Sequence, residues 1–120
     1  MRIWYNFCML FFLLFLLIQI IPNKEMHWIR EGQHQYNKIV YTLDKNYIRE
    51  GQTIYGKILY TIDGKYVREG KTSYGKIVYT IDGNYIRKGQ TSYGEIIYTI
   101  DGKYIREGKT KYGKILYNLN

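Results

Sequence analysis

Four Tyr-x-Arg triplets recur nineteen residues apart: Tyr47 with Arg49, Tyr66 with Arg68, Tyr85 with Arg87, and Tyr104 with Arg106. Residues two apart on an extended backbone share one face, so each triplet sets an aromatic ring beside a guanidinium. Such a pair can stack on a sugar or base and bind a carboxylate or phosphate through its forked donors. These eight residues are the candidate ligand-binding set. The same residues also have a structural use, in which Tyr packs across strands on Thr and Arg pairs with Glu or Asp of a neighbouring unit.

No catalytic constellation accompanies them. His27 and His34 are the two histidines, and their spacing matches no metal-ligand pattern. Ser73 and Ser92 have no histidine base within their own repeats. Glycines recur singly at turns and build no phosphate-binding loop. Carboxylates could form a glycosidase pair, but Asp63, Asp82 and Asp101 precede turn glycines, where Asp accepts local backbone hydrogen bonds. Glu50, Glu69 and Glu107 follow Arg, and Lys88 stands at that position in the fourth unit. A carboxylate repeated in every unit reads as scaffold. The expectation is a non-enzyme without cofactor or metal.

The triplets sit in a repeat. Tyr55–Ser73 aligns with the segment from Tyr74, the phase continues at Tyr93, and the last unit is cut short after Tyr112. Tyr36 opens a looser copy, and Trp28-Ile29-Arg30-Glu31-Gly32 is half a unit with Trp at the tyrosine position. From Trp28 to Leu119 this makes five units. In Lys76-Ile77-Val78-Tyr79-Thr80-Ile81 the period is two and β-branched or aromatic residues dominate, which predicts a strand. Asp82-Gly83 then predicts a hairpin turn, since Gly supplies positive φ at no steric cost. A turn at those two residues sets Tyr79 opposite Ile86 and Thr80 opposite Tyr85. Ile77, Tyr79, Ile81 and Ile86 then form the core face, leaving Val78, Thr80, Tyr85 and Arg87 on a half-exposed one. A single hairpin is not stable alone, so the units must share a core, and closing around an axis removes reactive strand edges. The fold expected is all-β: five nineteen-residue hairpin repeats closed radially, barrel-like, after an N-terminal apolar helix.

The motif Tyr-Gly-Lys-Ile-x-Tyr-Thr-Ile-Asp-Gly-x-Tyr-Ile-Arg-Glu-Gly resembles the repeats of bacterial β-flower proteins, small domains of hairpins about an axis, here of the five-fold type. The likeness spans Trp28 to Leu119. That family has no known function, so the resemblance implies the fold and assigns no site residue.

Residues 1–22 differ in kind. From Ile3 to Ile21 no residue is charged, and the sole proline, Pro22, marks the break before the repeat domain at 23–120. The stretch has the length of a short transmembrane helix and the charge pattern of a signal peptide, with Arg2 ahead of Phe7–Ile21. No small-x-small cleavage site precedes Pro22, which favours an uncleaved anchor and places the repeats outside the cytoplasm. Cys8, the single cysteine, reads as apolar filler, so no disulfide framework exists. All but one of the 18 basic residues and all ten acidic ones follow residue 22, giving the repeats a positive charge suited to acidic surfaces. Basic and acidic residues alternate, which argues against a nucleic-acid groove. The expected function is a non-catalytic binding domain, exported or membrane-anchored, for a glycan, wall polymer or protein. The alternatives are a self-assembling structural protein and an electrostatic binder of anionic lipid or nucleic acid.

Overall fold

The computed structural model describes residues 26–120; the expected leader helix and the boundary at residue 22 lie outside them. Ten strands follow: β1 (Met26–Glu31), β2 (Ile39–Asp44), β3 (Tyr47–Glu50), β4 (Ile58–Asp63), β5 (Tyr66–Glu69), β6 (Ile77–Asp82), β7 (Tyr85–Lys88), β8 (Ile96–Asp101), β9 (Tyr104–Glu107) and β10 (Ile115–Leu119). Each pairs antiparallel with its chain neighbours, and β1 pairs with β10, so the sheet closes into a barrel. The all-β, closed hairpin architecture is therefore as expected. No strand edge among the described residues is left for another chain.

The hairpins turn one residue later than the sequence suggests. Asp82 pairs with Tyr85, Ile81 with Ile86, Thr80 with Arg87 and Tyr79 with Lys88. Gly83 and Asn84 are the turn, and Gly83 takes φ 66°. A positive φ at the first turn residue is the choice for a two-residue hairpin, because it matches the twist of the strands. In the first full hairpin Lys45 holds that position at φ 61°, the one non-glycine residue described with positive φ. A register error of this size preserves the face of every residue along a regular strand. Tyr79, Ile81 and Ile86 accordingly face inward together.

Ile77 does not join them. Where each short strand meets the next long one, the ladder slips: Val67 pairs with Tyr79, but Arg68 pairs with Ile77. Val78 is the extra residue of a β-bulge, which bends the strand and increases its twist. The same slip recurs between β3 and β4, β7 and β8, β9 and β10, and β1 and β2. One bulge at each such junction curves the sheet until its ends meet.

The interior is layered. Leu43, Ile81 and Ile100 lie deep near the turns, and Ile29 and Val67 form part of the layer above. Above that layer stand Tyr41, Tyr60, Tyr79, Tyr98 and Tyr117. About eight strands make a barrel that side chains just fill. Ten make a wider one, and the axis stays open at both ends of the apolar layers.

Candidate functional site

Long strands end at the hairpin turns and short strands end at the loops, so the two mouths of the barrel differ. The turn end carries Asp-Gly and the isoleucine layer. At the loop end, Tyr41, Tyr60 and Tyr98 pair with Glu50, Glu69 and Glu107, the last residues before the loops.

The predicted Tyr/Arg set lies on the outer wall, and the structure brings each pair together. The guanidinium carbons of Arg49, Arg68, Arg87 and Arg106 stand 5.6–5.9 Å from the ring centroids of Tyr47, Tyr66, Tyr85 and Tyr104. Each Arg also donates Nε to the turn Asp of its own hairpin at 2.9–3.1 Å. Its Nη1 donates to the carbonyl of Gly56, Gly75, Gly94 or Gly113 at 2.9–3.0 Å. Arg therefore ties turn, strand and loop together, with its partner Asp in its own hairpin where a neighbour's was expected. Trp28 and Arg30 repeat the aromatic–cation contact on β1 at 5.8 Å.

Beneath this layer the outer face is closed. Thr42, Thr61, Thr80 and Thr99 are buried, Thr80 at 1 % exposure, where half-exposure was expected. Each hydroxyl donates to the first glycine carbonyl of its hairpin's loop, as in Thr80 to Gly89 at 2.7 Å. Asn118 holds the same position on β10, and its amide donates to Gly32 at 2.9 Å, across the junction of the chain ends. A buried hydroxyl needs such a partner, and here the need fixes the loop.

The loops present what the sequence reading passed over. Tyr36, Tyr55, Tyr74, Tyr93 and Tyr112 occupy equivalent positions on five loops and are 87–95 % exposed. In four loops the Tyr amide donates to the Thr hydroxyl two residues earlier at 3.1–3.2 Å. In these four loops the glycine that follows is required by close approach: a Cβ on Gly75 would meet the Glu69 carbonyl oxygen at 2.0 Å. Asn37 replaces that glycine in the first loop, and its amide donates to the equivalent Glu31 carbonyl at 2.8 Å. The signal for these tyrosines was present in every Tyr-Gly pair, but it read as strand entry.

Between the loops lies a well of about 160 Å³ walled by the five inner tyrosines and floored by the apolar layer. In the pairs Tyr41–Tyr117, Tyr60–Tyr79 and Tyr79–Tyr98 the ring centroids stand 6.0–6.4 Å apart, tilted 57–59°. Burial and the adjoining phenols raise the Tyr60 and Tyr98 pKa values, and push Tyr117 up to about 12. Tyr60, Tyr98 and Tyr117 therefore keep their protons over the physiological range. Around the well, Glu31, Glu50, Glu69 and Glu107 each donate a backbone N–H to Lys38, Lys57, Lys76 and Lys114 respectively. At the fourth unit both members are exchanged, Lys88 with Glu95. Lys88 thus stands at a glutamate position and Glu95 at a lysine position, and these five Glu and five Lys sum to no net charge. Among the described residues no group of His, Asp or Glu could hold a metal ion.

No curated protein and no solved structure matches the chain. A family model does, over residues 20–120, which takes in the whole described barrel; its description is a 6-fold beta flower protein, where the repeats suggested the five-fold type. By its hairpin repeats, its closed sheet and this match, the chain belongs to the 6-fold beta flower family.

Proposed function

We propose that this is a non-catalytic binding domain, held outside the cytoplasm by its N-terminal segment, that engages an acidic glycan or wall polymer through its loop end. The observation that carries the reading is the set of five loop tyrosines at 87–95 % exposure. Exposed aromatic rings repeated on equivalent loops are contact surface, since Tyr offers a rigid apolar face and a polar tip. Weak contacts repeated along a polymer also multiply through effective concentration. Lys71, Lys109 and Lys111 lie on the same loops and suit a negatively charged chain. Met26 pairs with Asp44 beside a hairpin turn, so the polypeptide enters the barrel at the end opposite the loops. A chain anchored at its N-terminus would then hold the tyrosines away from the membrane.

The ten strands count as five long–short units, the fifth made by β10 with β1. We read this barrel as a five-unit member of a family described as six-fold.

The test is sedimentation of the full chain with insoluble wall polysaccharide. Replacing Tyr55, Tyr74, Tyr93 and Tyr112 together with Ser should abolish binding without unfolding the barrel. Unchanged binding by that variant, or no binding by the folded native chain, rejects the reading.

A further inference from the structure

We infer that the axial well binds a quaternary ammonium group. The site is distinct from the loop tyrosines, and the inference goes beyond the polymer contact proposed above.

The geometry starts from the five inner rings. In three of the five neighbouring pairs the centroids stand 6.0–6.4 Å apart; a regular five-membered ring of that spacing holds a guest on its axis about 5 Å from each centroid, inside the roughly 6 Å reach of a cation–π contact. The tilt of 57–59° in these pairs excludes a stacked arrangement of neighbouring rings. The space, about 160 Å³, is close to the cavity of about 150 Å³ that accommodates benzene. A trimethylammonium head is of that size.

The lining then selects among guests. Neither a carboxylate nor a cationic side chain lines the well; its walls are the five phenols above Ile29, Ile48, Val67, Ile86 and Ile105. A primary ammonium would lose water and find no anionic partner, which is costly. An anion would meet no cation. A sugar would set several hydroxyls against an apolar floor, with only the phenol tips of the wall to meet them. A quaternary ammonium has no N–H to satisfy, its methyl groups pack on Ile and Val, and its charge is met by aromatic rings.

The experiment titrates the full chain with choline and with 3,3-dimethylbutan-1-ol, its neutral isostere, by calorimetry. Choline should bind saturably and the isostere about ten-fold more weakly or worse. Tyr79→Leu should weaken choline about ten-fold, while Tyr79→Phe, which keeps the ring, stays within about three-fold. Thermal unfolding of both variants confirms the fold. Equal binding of the two ligands, or no saturable choline binding by the folded chain, overturns the inference. The loop Ser variant separates the two sites: it should lose polysaccharide and keep choline. A chain that binds choline but no wall preparation leaves this inference standing and removes the proposed function.

Discussion

The inner and outer faces of the same strands solve burial in opposite ways. Inside, Leu43, Ile81 and Ile100 stack in layers that need only be apolar and of fitting volume. Outside, Thr80 is less exposed than Ile81, 1 % against 4 %, yet it is polar. Its burial rests on one hydrogen bond to Gly89 and on the covering Arg87, which is itself held by Asp82 and Gly94. The inner face specifies that the strands collapse. The outer face specifies how each loop is set, because a buried hydroxyl without its carbonyl would cost more than the bond contributes. Direction therefore comes from the polar side of the sheet.

The largest break in this comparison should come from the inner face. Ile81→Ala removes a buried side chain and leaves a cavity, and should lower stability by about 2–4 kcal/mol in denaturant unfolding. A loss as small as that of a surface change would mean the layers are loosely packed. On the outer face, Thr80→Val keeps the shape and strands the Gly89 carbonyl. It should cost about 1–3 kcal/mol and raise hydrogen exchange in the loop at 89–95 ahead of the strands. If exchange rises uniformly, the hydroxyl does not set the loop.

A smaller effect is expected for Arg87→Lys. Lys keeps the charge near Asp82 but cannot serve Asp82 and Gly94 with one planar fork. The ion pair is part-exposed, with 39 % of the Asp82 side chain accessible, so a loss under about 1 kcal/mol is expected. The smallest effect near neutrality is the titration of Tyr60, Tyr98 and Tyr117. A phenol with a raised folded pKa binds its proton more tightly in the barrel than in the unfolded chain. Its contribution is present below pH 10.0 and is lost as pH rises toward 12, by the shift at Tyr117. Tyr117→Phe should reduce the alkaline slope of stability between those values and leave the slope at pH 7 unchanged.

Much of the fold was legible in the repeat. Period two named the strands, Asp-Gly named the hairpins, and near-identity of the units required a shared core. The inward direction of Tyr79 and Ile81 followed as well. Ile77 was misplaced because a bulge leaves no mark in an alternating pattern; Val78 is as good a strand residue as its neighbours. The outer Tyr/Arg set was found as a cluster, but its bonds to Asp and Gly depend on where the turn falls. The loop tyrosines were visible as letters and not as surface, since exposure is a property of the closed barrel.

By itself the sequence determined strand, turn and repeat, which are local: alternating β-branched residues suit extended backbone, and glycine admits positive φ. Tertiary structure decided that β1 closes against β10, that threonine is buried while Tyr74 is bare, and that five tyrosines converge on one axis. Those outcomes depend on the curvature summed over five bulges and on the width set by ten strands. No single repeat contains either quantity.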